Sequence, residues 1–253
     1  MIERLEELVA LSRRIGRPEN DYVVLAEGNT SVRLDDGSFL VKASGARLDG
    51  IDANDFVQLR LAPLLEAVLD DGEPNVPELF RSARVEPSGT GDPSIETFVH
   101  VVTLSIGGAR YVAHTHPTVL TGLLCSAAAE EILLAGPLFP DEAVVCGAEP
   151  LYVPYFEPGL ELARALAPRL HQHLERVGEA PRTILLANHG LVALGSSAAE
   201  AEAVTAMAVK AARVRAAAAL AGGLRPLPEA SVHDLVGRDD ELERRARLVS
   251  EAT

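Results

Sequence analysis

The stretch RTILLANHGLVALG, residues 182–195, constrains the fold most. It holds two short apolar runs, 182–188 and 190–195, interrupted only by a polar Asn-His-Gly turn. Runs of this length, bounded by turn residues, read as buried strands. A strand with no polar face needs cover on both sides, so the chain has to lay helices over its sheet.

Helices with the right patterns flank these strands. Residues 2–15 read as an amphipathic helix with Ile2, Leu5, Leu8, Val9 and Ser12 along one side. LAPLLEAVLDDG (61–72) and GLELARALAPRLHQHLERV (159–177) have helical patterns. Residues 197–223 form a long helix, opened by a Ser197–Glu200 capping box and closed by Gly222–Gly223. YVVLAEGNTSVRLDDGSFLVKASG (22–45) reads as short strands joined by turns at EGN, DDG and SG, with DDG marking a hairpin. ARYVAHT (109–115) is a further strand. SIETFVHVVTLSI (94–106) fits either element, and Ser94 before Glu96 and Thr97 points to a helix start. Residues 73–93, rich in Pro, Gly and Ser, read as a long loop of the kind that carries function. The charged tail, 237–253, reads as a helix. These elements predict one three-layer α/β domain over residues 1–253, with a helical extension from about 224.

Charge removes whole classes of function. The net charge of −14 argues against a binder of nucleic-acid phosphates and against docking on an anionic membrane. It leaves room for a small anionic ligand held by backbone amides. No apolar run is long enough to span a bilayer, and the charged N-terminal helix does not have the pattern of a signal peptide. The expectation is a cytoplasmic protein with reduced thiols, with Cys125 and Cys146 as packing residues.

The candidate chemistry lies in the histidines. HxH occurs twice, at His114–His116 and His171–His173. On a strand, residues i and i+2 share a face, so His114 and His116 can converge on one point. On a helix they diverge, so His171 and His173 are expected at the surface. A divalent cation removes the cost of burying two imidazoles together, because it takes the neutral nitrogen of each. The alternative is an ordinary pair of hydrogen-bonded histidines at a strand end. Two ligands hold a metal weakly. His189, just past a buried strand and before a glycine turn, is the best third candidate, and an ordinary turn histidine is again the alternative. His100, four residues after Glu96, is expected to pack or to orient that carboxylate. His233 is expected in solvent.

EGNTSVRLDDGSFLVKASG, GDPSIETFVH, AHTHP and ANHGLVALG occur in the order and near the spacing of the class II aldolase/adducin family. The chain resembles that family over roughly residues 5–220. Its wording is most similar to the aldolase half of chains in which rhamnulose-phosphate aldolase is fused to an alcohol dehydrogenase. The resemblance implies a central mixed, largely antiparallel sheet. It implies that His114, His116 and His189 bind zinc, or another divalent cation such as Mn²⁺, Co²⁺ or Fe²⁺. Glu96 matches the family's acid/base. Gly28, Asn29, Ser44, Gly45 and Ser94 match the positions that hold a substrate phosphate.

The function so implied is a carbon–carbon lyase of aldolase type, cleaving a small ketose phosphate or related hydroxy-carbonyl compound through a metal-stabilised enediolate. A 4-epimerase, decarboxylase or dehydratase on the same site, or a non-catalytic adducin-like module, are the alternatives. Two positions depart from the pattern. Ile95 stands where many of these aldolases have a second serine. The tyrosine about twenty residues after HxH is replaced by Leu138 and Phe139. The resemblance also implies a homotetramer, and the alanine-rich helix at 198–221 reads as one suited to close packing on two sides.

Overall fold

The structure is a computed structural model that describes residues 2–86, 89, 91–238, 240, 243 and 247. In chain order the elements are α1 (Ile2–Ile15), β1 (Asn29–Arg33), β2 (Ser38–Lys42), β3 (Phe56–Arg60), α2 (Leu61–Leu69), α3 (Val76–Ala83), α4 (Thr97–Ser105), β4 (Tyr111–Thr115) and α5 (Thr118–Leu124). They continue as α6 (Ala129–Leu133), α7 (Pro140–Cys146), β5 (Leu151–Val153), α8 (Leu160–Val177), β6 (Thr183–Leu186), β7 (Gly190–Gly195), α9 (Ala198–Leu220) and α10 (Glu229–Gly237).

The strands form one seven-stranded sheet in the order β3-β2-β1-β4-β7-β6-β5. Every neighbouring pair is antiparallel except β5 and β6. The sheet is therefore mixed and largely antiparallel. Alternate residues of each strand feed opposite cores, as the two-residue period requires. Phe39 and Val41 of β2, Val112 of β4 and Val192 and Leu194 of β7 join Leu64, Phe98, Val102 and Leu166 from α2, α4 and α8. Leu40, Tyr111 and Ala193 face the other way, onto Leu8, Leu11 and Ile15 of α1 and Ala201 and Val204 of α9. Helices thus cover both faces, which is why β6 and β7 carry no polar side.

Several local expectations need correction. The long loop at 73–93 contains α3, capped at Asn75, whose side chain accepts the N–H of Glu78. Ile2 is 72% exposed, so α1 uses Leu8, Leu11, Ser12 and Ile15 as its inner face. His171 and His173 do diverge, but His173 is buried in α8 rather than at the surface. Cys146 is a packing residue as expected, whereas Cys125 is exposed. The alanine-rich α9 packs inside its own chain, against α1, α5, α7, β4 and β7. The expected tail helix at 237–253 lies mostly outside the described residues. Among the described residues no helix is long and apolar enough to cross a membrane.

Candidate metal centre

β1, β4 and β7 are neighbours in the middle of the sheet, and their ends meet the start of α4 at one place. His114 is in β4, opposite Asn29 of β1 and Val192 of β7. His116 lies one residue beyond the end of β4, where its N–H donates to the Tyr22 carbonyl at 2.9 Å. His189 sits in the tight turn between β6 and β7. Asn188 makes that turn with φ of +54°, a conformation asparagine tolerates better than most residues. Gly190 then lets β7 run against β4: a Cβ there would lie 2.7 Å from the His116 ring and 2.5 Å from the Thr115 carbonyl oxygen. Glu96 precedes α4, its N–H directed at the Ser94 hydroxyl at 3.3 Å.

These residues converge. The Nε2 of His114 is 3.0 Å from that of His116, 3.2 Å from that of His189 and 3.3 Å from Glu96 Oε1. His189 Nε2 is 2.9 Å from the same oxygen. One ligand atom from each of the four residues lies within 4.8 Å of all the others. His114 commits its Nδ1–H to the Leu191 carbonyl, at 2.9 Å. In the neutral ring this leaves the Nε2 lone pair facing other acceptors. A set with more lone pairs than protons, arranged around one point, fits a divalent cation. His114 is fully enclosed, while His116 and His189 keep edges open to solvent.

The four side chains also shift one another's protonation. Burial works to raise the Glu96 carboxyl, but the charge of His114 and hydrogen bonds from His114 and His189 outweigh it and hold the group far below the usual carboxylate range. Burial works against charging His114, and the Glu96 carboxylate more than offsets it, raising that imidazole. Burial, with His114 and His189 beside it, pushes His116 down to about 3.

A second tier surrounds the four. Asn29 is buried, and its Nδ2 donates to Glu96 Oε2 at 2.7 Å. Its Oδ1 meets the Nε2 of His100, whose Nδ1 lies 2.6 Å from the Ser31 hydroxyl. Lys42 is buried, with Nζ donating to the carbonyls of Ala26 at 3.1 Å and Ala46 at 2.7 Å. It thereby ties the turn before Gly28 to the turn holding Ser44 and Gly45. The Ser44 N–H donates to the Asp92 carbonyl at 2.8 Å, which ties that turn to the Pro93–Ser94 segment. Ser44 and Gly45 are exposed and Ser94 half-buried, so the Gly45 N–H and the Ser44 and Ser94 hydroxyls can meet a ligand. Asn29 differs from them, since its amide is already turned to Glu96 and His100. Lys42 escaped the sequence reading, although a lysine inside the apolar run SFLVKA is itself a signal. Tyr155 is exposed and donates to Glu157 at 3.1 Å.

A family model described as Class II Aldolase and Adducin N-terminal domain matches residues 6–216. The 3-oxo-tetronate 4-phosphate decarboxylase of Haemophilus influenzae is 28% identical over 179 residues, covering 70% of this chain and 71% of that protein. The uncharacterized oxidoreductase YuxG of Bacillus subtilis is also 28% identical, over 206 residues that make up 76% of this chain. Those residues are only 27% of YuxG, so the chain spans about a quarter of that relative. Among solved structures, an L-fuculose 1-phosphate aldolase superposes with a TM-score of 0.68 at 20% identity, covering 93% of this chain and 95% of the other.

Proposed function

The chain belongs to the class II aldolase and adducin family, and from that membership we propose that it is a divalent-metal-dependent carbon–carbon lyase. Its substrate class is a small ketose phosphate or a related hydroxy-carbonyl compound. The observation that carries this reading is the convergence of Glu96, His114, His116 and His189 on one point. Three imidazoles and a carboxylate suit zinc best, and Mn²⁺, Co²⁺ or Fe²⁺ accept the same donors.

When bound, the ion supplies Lewis-acid stabilisation of the negative charge that develops next to the breaking bond. The chain's own residues do the rest. Leu191 holds the His114 ring with Nε2 turned to the centre. Glu96 is the acid/base: its carboxylate, which also reaches the metal centre through Oε1, takes up and returns the proton. The turns at Gly28 and Ser44–Gly45, with the Ser94 hydroxyl, offer donors to the substrate phosphate. To this reading also belong a homotetrameric assembly and a cytoplasmic location.

Cleavage to two carbonyl fragments is the first reading. Loss of carbon dioxide from a 3-oxo acid phosphate is the second, favoured by the decarboxylases among the relatives. Both break a bond beside a carbonyl and leave the same kind of charge, so one site serves either. Metal analysis followed by turnover of ketose phosphates and 3-oxo acid phosphates, before and after chelation, tests the proposal. Activity should vanish with the chelator and return with zinc, and the products, a pair of carbonyl compounds or carbon dioxide, select the reaction. Turnover indifferent to chelation would overturn the metal-dependent reading.

A further inference from the structure

We propose that His100 is a positioning residue that locks the side-chain amide of Asn29 in one orientation and so aims Glu96 at the metal centre. This rests on the acid/base role assigned to Glu96. The carboxylate sets the direction of every bond that follows. Ionised Glu96 only accepts hydrogen bonds, so Asn29 must present its NH₂ to Oε2, at 2.7 Å. The Asn29 carbonyl oxygen is then turned to His100, and only an N–H can meet it. His100 must therefore carry its proton on Nε2. Its Nδ1 becomes an acceptor, and the Ser31 hydroxyl, 2.6 Å away, is the donor that fits.

Every link in this chain has one direction: Ser31 donates to His100, His100 to Asn29, and Asn29 to Glu96. Burial supports it, because His100, Ser31 and Asn29 are all enclosed and no water competes for their bonds. The elements supply rigidity. Ser31 and Asn29 are two apart on β1 and so share a face, and His100 lies across from them on α4, one turn after Glu96. An amide free to flip would set its oxygen against the Glu96 carboxylate and let the carboxylate swing away from the histidines. The Nε2–H of His100 forbids the flip.

Two measurements on the full chain test this. The first is ¹⁵N NMR of the unaltered protein with labelled histidine. His100 should be neutral and protonated on Nε2; a ring protonated on Nδ1 overturns the proposal. The second is zinc affinity, by competition with a chromogenic chelator, in two variants. The amide nitrogen of His100→Gln reaches the place of Nε2 and keeps the donor to Asn29. His100→Asn reaches only the place of Nδ1 and loses that donor. His100→Asn should bind zinc 10–100-fold more weakly, the range for lost support of a ligand, and His100→Gln should match the unaltered chain. Equal loss in both variants, or loss in neither, overturns the positioning role. If both fail to fold, the tautomer still decides. Failure here with intact zinc binding leaves the lyase reading standing, whereas a chain that binds no zinc at all removes that reading first.

Discussion

Asn29 and His114 lie directly opposite each other across the β1–β4 ladder, and between them they hold both oxygens of Glu96. Asn29 takes Oε2 and His114 approaches Oε1, so the carboxylate is oriented by a cross-strand pair rather than by its own helix. A side chain before the first turn of a helix is ordinarily loose. Here the register of two central strands fixes it, because residues paired across a ladder point to the same face.

The first prediction concerns metal content. The purified chain should carry about one divalent ion, zinc being the best match to the donors. His116→Ala removes one of three converging Nε2 atoms without touching the enclosed core around His114. Elemental analysis should find stoichiometric zinc lost in that variant. Full occupancy would place the metal elsewhere.

Glu96→Gln tests the proton-transfer role. The replacement is nearly isosteric and can still accept from Asn29. The fold should survive, zinc should bind more weakly but still load in excess metal, and single-turnover rates at saturating zinc on the substrate found by screening should drop about 10²–10⁴-fold. A Gln variant at full rate would move the base to another residue.

Gly28→Ala should disrupt the centre from the backbone side. Gly28 has φ of +67°, and a Cβ there would lie 2.6 Å from the carbonyl oxygen of His114 and 2.8 Å from Val23. The left-handed strain alone costs about 1–3 kcal/mol, and the clash displaces β4 at a candidate ligand. Thermal melting should shift down and zinc affinity fall together. Unchanged melting would mean the β1 end yields more easily than its packing indicates.

Acid should destabilise the fold through His100. Burial lowers this imidazole to about 3, with the charges of His114 and Lys42 acting the same way and Glu96 opposing them. The unfolded ring titrates near 6.5. Between those values the unfolded chain binds a proton that the folded chain refuses. Stability therefore falls as pH drops through that window, by about 1.4 kcal/mol per unit from this one group. Denaturant titrations from pH 7 to pH 4 should show a shallower slope for His100→Gln than for the unaltered chain. Parallel slopes would assign the acid sensitivity to other groups.

Much of the fold is legible in the residues alone, because periodicity is a local property. The hairpin at DDG, the apolar strands around Asn188–Gly190, α8, and α9 with its Ser197 cap all follow from spacing within a few residues. The Glu200 side chain shows where local reading stops. It turns to Ser196 instead of completing the box on Ser197. α3 was hidden because its Pro- and Gly-rich surroundings mask an eight-residue helix. His173 is buried because of what α8 lies against, and no spacing rule contains that.

The candidate site divides in the same way. The residue types and the strand period alone mark His114 and His116 as able to converge, since i and i+2 share a face. Their meeting with Glu96 and His189 depends on separations of 93 residues between Glu96 and His189 and 75 between His114 and His189. Contacts of that range are set by which strand neighbours which, and the order β1-β4-β7 is a product of packing the whole sheet between two helical layers. The sequence by itself determined the donors and the strands that carry them. Tertiary structure alone decided that the donors share one point, that Lys42 joins the Gly28 and Ser44–Gly45 turns, and that Asn29 faces Glu96. Local preference sets where a side chain leaves the backbone, while only the assembled sheet sets what it meets.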